Sequence, residues 1–151
     1  MAGAVDLVLH AGDIGDYQVI RLLARGGAAV VAVLGNNDVA EKWPAAQTRQ
    51  LARLPHVVGV RVAGGVLFIE HGHKAGRVAE RHRLLRRRYP QARAVVYGHS
   101  HRLCCDTQAE PWILNPGAGG RARTGGGASC LTLRVTQAGR WQLDTHRFPL
   151  A

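Results

Sequence analysis

Ala94-Val95-Val96-Tyr97-Gly98-His99-Ser100-His101 is an apolar run of strand character that feeds directly into two histidines two positions apart. β-Branched and aromatic residues suit a pleated strand, and the glycine at its end lets the chain turn sharply, so both imidazoles can aim at one point. Three other stretches share this grammar. Val5-Asp6-Leu7-Val8-Leu9-His10 ends in Ala11-Gly12-Asp13, Ala28-Ala29-Val30-Val31-Ala32-Val33-Leu34 ends in Gly35-Asn36-Asn37-Asp38, and residues 66–70 end in His71-Gly72-His73. Loops at the carboxyl ends of strands are where α/β proteins build their sites.

The intervening segments supply the architecture. Val19, Ile20, Leu22 and Leu23 recur at helical spacing within residues 17–24, which makes the first part a β-α-β unit. Ala63-Gly64-Gly65 between two β-rich runs predicts a hairpin of residues 57–62 and 66–70. Residues 77–89 are basic, with Val78, Leu84 and Leu85 as the main apolar contacts and Pro90 as a stop, which predicts a surface helix. Short strands follow at 103–107, 112–114, 129–136 and 141–148, expected to form a second, largely antiparallel sheet. The fold class is therefore α/β: two packed sheets with helices outside, a mixed α-β-β-α sandwich in one domain spanning residues 1–151.

Composition narrows the function classes. A chain of 151 residues with 46% hydrophobic and 20% charged residues is long enough for a two-layer core. It has no run of 18 apolar residues and no basic leader followed by an apolar stretch, so a cytoplasmic protein without a membrane partner is expected. Cys104, Cys105 and Cys130 are odd in number and suit neither a disulfide framework nor a paired zinc motif; reduced thiols packed in strands are expected. The formal charge of +10 comes almost wholly from arginine, since Lys42 and Lys74 are the only lysines. Coding bias explains that excess, and a nucleic-acid partner held by Arg81, Arg83, Arg86, Arg87 and Arg88 of the basic helix is the competing account. Either way the field favours anionic substrates.

Taken singly, Gly12-Asp13 is a turn or a helix cap, Gly35-Asn36 is a turn, and His71 and His73 are polar residues closing a strand. Taken together, imidazole, carboxylate and amide oxygen are the donors that bind a first-row divalent ion. The joint pattern, with Asn115-Pro116-Gly117 downstream, resembles the calcineurin-like metallophosphoesterases, specifically the small single-domain phosphodiesterases of bacteria and archaea. The resemblance implies a hydrolase in which two metals about 3.5–4 Å apart polarise a phosphoester while a bridging hydroxide attacks phosphorus. It assigns Asp13 as the bridging carboxylate, Asn36, His71 and His99 as the remaining ligands of one metal, and His101 as a ligand of the other. Manganese is the expected metal, with iron, zinc, nickel and magnesium as alternatives. Asn37 and Asp38 complete the candidate catalytic set.

Two departures from the family pattern bear on activity. Family members begin with a strand ending in Asp-x-His, and no such motif precedes Gly12-Asp13. One complete metal site is therefore expected, and residues 1–6 read as the tail of a helix whose preceding strand is absent. The expectation is a coding sequence that continues upstream of Met1, and otherwise a chain that is poorly soluble or borrows a strand from a second copy as a homo-oligomer. The second departure is Asn37 where the family commonly has histidine, because an amide donates a hydrogen bond but is no general acid at neutral pH. The alternative function is a catalytically degenerate protein-interaction scaffold, as in the retromer subunit built on the same fold. The glycine-rich stretch 117–127, with Arg121 and Arg123, lacks the ending of a nucleotide P-loop and is expected as a loop beside the site.

Overall fold

The computed structural model describes residues 5–120 and 127–148. Strand β1 (Leu7–His10) runs parallel to β2 (Ala29–Ala32), with Leu7 opposite Ala29, and helix α1 (Tyr17–Leu23) forms the crossover. Asp16 caps α1 by accepting the Gln18 N–H at 2.7 Å, the bond that an orphan amide of the first turn needs. Ile14, Ala32, Trp43 and Leu51 form a small core around this unit, with Leu51 contributed by the short helix α2 (Thr48–Leu51).

Five strands form the central sheet in the order β3-β4-β5-β7-β6: β3 (Val57–Val62), β4 (Gly65–Glu70), β5 (Ala94–Tyr97), β6 (Leu103–Asp106) and β7 (Trp112–Pro116). β3 and β4 make the expected hairpin, β4, β5 and β7 are mutually parallel, and β6 returns antiparallel to β7. Every residue of β5 is buried. Ala94 and Val96 pack with Val33, Leu67, Ile69 and Leu114 on one face, while Val95 and Tyr97 pack with Leu85, Tyr89 and Ile113 on the other. Alternation along the strand sends successive side chains into different cores.

Helix α3 (Arg81–Arg88) lies on the second of these faces, through Leu85. The first face is covered by two strand pairs: Leu9 and Val31 from β1 and β2, and Leu131, Leu133, Trp141 and Leu143 from β8 (Ala128–Val135) and β9 (Trp141–Phe148). The layers are thus α1, the outer strands, the five-stranded sheet and α3, the α-β-β-α sandwich that the sequence predicts.

Two expectations need correction. β6 and β7 do not join β8 and β9 in a second sheet; they complete the sheet of β3, β4 and β5, and β8 with β9 stands as a separate antiparallel pair. Ile113, Leu114 and Asn115 are buried whichever way they point, the mark of a central strand rather than a hairpin arm with one wet face. The basic helix is also shorter than residues 77–89. Gly76 has φ 73°, Val78 is 72% exposed, and Glu80 provides no side-chain cap, so the first regular turn begins only where Arg81 and Leu85 find buried contacts. Met1–Ala4, most of the stretch read as a helix tail, lie outside the described residues, as do residues 121–126 of the glycine-rich stretch.

Candidate metal centre

The loops after β1 and β2 meet at backbone contact. Gly12 has φ 89°, and a Cβ there would lie 2.7 Å from both the Gly35 nitrogen and His71 Nδ1. A Cβ on Gly35 would collide with the Asp13 carboxylate oxygen. Asp13 itself sits at φ 57°, His99 at 64° and His101 at 56°. Three of the five expected ligands thus occupy the left-handed region that side chains with a Cβ avoid, a cost that a surrounding structure must over-determine.

Asp38 supplies part of that determination. Its Oδ1 accepts the Ile14 N–H at 2.8 Å, the Gly15 N–H at 2.9 Å and the Trp43 indole N–H at 3.0 Å, and its Oδ2 accepts the Gly35 N–H at 2.8 Å. One buried carboxylate thereby fastens both loops. On the other side, buried Asn115 donates to the Gly98 carbonyl and Ser100 Oγ and accepts the Gly117 N–H, which fixes the turn that carries His99. His82 continues this support: it touches Tyr97 Oη at 3.1 Å through Nε2 and pairs with Asp106 through Nδ1 at 2.9 Å.

The ligand atoms converge around Asn36. His71 Nε2 and His99 Nδ1 each lie 3.0 Å from Asn36 Oδ1, and His71 Nε2 lies 3.4 Å from Asp13 Oδ1. His71 is 2% exposed, and its Nδ1 can only donate to the Ala11 carbonyl oxygen at 2.7 Å. Its Nε2 lone pair then faces two oxygens that are themselves acceptors, an arrangement that a cation between them relieves. Metal bonds of about 2.1 Å place neighbouring ligand atoms about 3.0 Å apart at right angles and about 3.4 Å apart in a tetrahedron. The three separations lie within that range, and the donor types are those that bind a divalent ion. Among the described residues no three His, Cys, Asp or Glu side chains form a group that could hold a metal ion.

The electrostatics agree with ligation. Burial alone raises the Asp13 carboxyl, but the Asn37 N–H at 2.9 Å on Oδ1 and the Asn37 amide at 2.8 Å on Oδ2, with His71 and His99 nearby, hold it below the ordinary value. Burial lowers His99, assisted by His71 and Arg81, and burial likewise lowers His73 and His10. The lowering favours the neutral imidazole, the form that binds metal.

Asn37 and His101 differ from the four convergent residues. Asn37 spends one amide N–H on Asp13, and its Oδ1 accepts from Lys42 Nζ at 2.6 Å. His101 is half-buried at the end of the same loop as His99. Sequence reasoning did not assign His10 or His73, whose buried Nδ1 atoms have no hydrogen-bond partner. The position of each, three residues before Asp13 and two after His71, was the signal available. Nor could it name Ala11 as the group that fixes the His71 tautomer.

The arginine helix presents less charge than its sequence suggests. Arg81 is buried, Arg83 pairs with Glu80, Arg86 with Asp106 at 2.8 Å and Arg88 with Glu70 at 2.8 Å. All three cysteines are free thiols in strands, with Cys105 and Cys130 exposed and Cys104 half-buried. No helix among the described residues is long and apolar enough to cross a membrane.

Sheets whose parallel strands end in loops carrying Asp13, Asn36, His71 and His99 have the site position typical of α/β proteins. The calcineurin-like phosphoesterase superfamily domain matches residues 1–138, and the chain belongs to that superfamily. Among solved structures, Vps29 of Entamoeba histolytica in complex with Zn2+ is similar with a TM-score of 0.72 at 17% identity, over 98% of this chain and 85% of that one. A novel archaeal phosphodiesterase gives 0.67 at 20% identity over 94% and 84%, and a predicted phosphoesterase of Streptococcus pneumoniae gives 0.65 at 23% over 95% and 74%. No curated protein sequence matches the chain.

Proposed function

We propose that the chain is a metal-dependent phosphoesterase acting on phosphodiesters in the cytoplasm, with Asp13, Asn36, His71 and His99 holding one divalent ion and His101 reaching toward a second position. Manganese suits a set of two imidazoles, a carboxylate and an amide oxygen, and iron, zinc, nickel and magnesium are the alternatives to test. The observation that carries this reading is the His71 Nε2 lone pair, aimed at Asn36 Oδ1 at 3.0 Å and Asp13 Oδ1 at 3.4 Å. Bound there, an ion supplies positive charge where negative charge develops on an attacked phosphoryl group.

The other roles follow from the hydrogen bonds. Asn37 has a second amide N–H beyond the one given to Asp13, and it donates that proton to the leaving oxygen without transferring it. Asp38 is a positioning residue, because its oxygens are engaged by loop amides and the Trp43 indole. The test is hydrolysis of bis(p-nitrophenyl) phosphate with added Mn2+. Metal-dependent turnover lost in His71→Ala and His99→Ala supports the reading, and no turnover above the buffer rate rejects it.

A scaffold function is the second reading. It is favoured by Asn37, which occupies both Asp13 oxygens with hydrogen bonds, and by the structural likeness to Vps29. Under it, a protein partner binds equally to the wild type and to His71→Ala.

A further inference from the structure

Two successive asparagines face different partners at the candidate metal centre. Asn36 turns its amide oxygen to His71 and His99, whereas Asn37 grips Asp13, giving its backbone N–H to Oδ1 at 2.9 Å and an amide N–H to Oδ2 at 2.8 Å. The other end of the Asn37 amide meets a cation: Lys42 Nζ donates to Asn37 Oδ1 at 2.6 Å. A carboxylate only accepts and an ammonium only donates, so these two neighbours fix which way the amide points. Because the nitrogen and oxygen of an amide are about 2.3 Å apart, the ammonium lies within about 8 Å of Asp13 Oδ2.

The segment that carries Lys42 is anchored. Ala40–Lys42 is a single 3-10 turn with the Lys42 N–H on the Val39 carbonyl oxygen at 3.0 Å, and the next residue, Trp43, is buried with its indole N–H on Asp38. Asp38 is the carboxylate that fastens the loops of Asp13 and Asn36. The residues that shape the site therefore also set the ammonium beside it. Its charge is unmatched: among the described residues no carboxylate forms an ion pair with Lys42, and the neutral oxygen of Asn37 takes one of its three N–H bonds. The other two belong to an exposed side chain, open to a ligand.

The non-bridging oxygens of a phosphoester gain negative charge as it is attacked, and groups aimed at that charge accelerate the reaction. An ion held by Asp13, Asn36, His71 and His99 answers the charge from the Asn36 side. We propose that Lys42 is a catalytic residue that answers it from the Asn37 side, its ammonium giving a charge-assisted hydrogen bond to a non-bridging phosphoryl oxygen of the substrate. The ammonium keeps its protons, and no bond to Nζ forms or breaks.

The assignment rests on the phosphoesterase reading, but phosphate binding tests it without turnover. Inorganic phosphate titrated by calorimetry into the Mn2+-loaded chain should bind about tenfold more weakly in Lys42→Gln, whose amide still donates to Asn37 Oδ1 but carries no charge. Lys42→Arg should restore most of the affinity, and both variants should retain as much metal as wild type. Absence of phosphate binding, equal affinity in Lys42→Gln, or an arginine variant as weak as the glutamine one overturns the assignment. So does loss of metal from Lys42→Gln, which would make Lys42 a support for Asp13.

In turnover with Mn2+, kcat/KM of Lys42→Gln should fall about 10²-fold, the lower end for one donor aimed at developing charge. The factor should be the same for p-nitrophenyl and alkyl esters, because the contact is not to the leaving oxygen. A loss confined to the alkyl esters would assign Lys42 to the leaving oxygen and overturn the phosphoryl contact. Failure of the phosphoesterase reading looks different: wild type cleaves no ester, while the phosphate titration still separates Lys42→Gln from wild type.

Discussion

His71 Nδ1 lies 2.7 Å from the Ala11 carbonyl oxygen, a bond that joins the end of β4 to the loop after β1 across 60 residues of sequence. It sets the imidazole tautomer. With Nδ1 committed as donor, Nε2 is left as a ligand atom, and the ring is already oriented toward Asn36 and Asp13. Preorganisation of this kind is what a metal site requires of the groups behind its ligands.

Metal stoichiometry follows first. The four convergent atoms make one site, so dialysed protein should retain about one tightly bound divalent ion per chain by elemental analysis. Two retained ions would contradict the one-site reading, and His71→Ala should retain none.

Gly35→Ala should abolish metal retention, because the added Cβ collides with the Asp13 carboxylate oxygen. The contact is with a ligand held by the Asn37 N–H and amide, so it cannot swing aside without losing them. Gly15→Ala is the control: its φ of 73° strains an alanine, but a Cβ there meets nothing within 4 Å and displaces no ligand. Full metal retention in Gly35→Ala would refute the interlocked-loop argument.

Asn37→His should raise kcat toward diesters with poor leaving groups by about 10²-fold, the lower end of what a positioned general acid supplies. The gain should shrink for p-nitrophenyl esters, whose leaving group needs no proton. A uniform change across leaving groups would show that position 37 acts through Asp13 alone.

Alkaline pH should weaken the fold through Tyr89. Burial, and then the neighbouring Glu70 carboxylate, push its hydroxyl up to about 12 from an ordinary value of 10.0. A raised folded value means that the neutral form is favoured in the native state: the contribution is complete below about pH 10 and is lost as pH rises to about 12. Denaturation midpoints measured from pH 9 to 12 should therefore fall more steeply for wild type than for Tyr89→Phe. Parallel slopes would remove Tyr89 from the account.

Strand pairing predicts a contrast in amide exchange. Among the described residues β1 pairs with β2 alone, whereas β5 is paired on both edges and buried throughout. Amides of Leu7–His10 should exchange faster than those of Ala94–Tyr97. Equal protection of the two strands would mean that β1 has a further partner.

The sequence carried the order of elements because periodicity is local. Continuous apolar runs ending in glycine marked β2 and β5, and Gly64-Gly65 marked the hairpin of β3 and β4. The same pattern placed Asp13, Asn36, His71 and His99 at strand ends, and their chemistry made them candidate ligands before any contact was known. Helix α3 was read too long, because Val78 continues the apolar spacing although its side chain is exposed.

Tertiary structure decided what depends on partners distant in the chain. Whether residues 112–116 joined β5 or the hairpin of β8 and β9 turned on burial of both faces, which short strands do not declare. The left-handed backbone at Asp13 and His99 lies in loops that Asp38 and Asn115 hold, and their acceptors and donors come from several elements. Which nitrogen of His71 is free is set by the Ala11 carbonyl, and which arginines keep an unmatched charge is set by Glu70, Glu80 and Asp106. Residue type fixes what a side chain can donate or accept. Only the packed chain determines which neighbour has already claimed it.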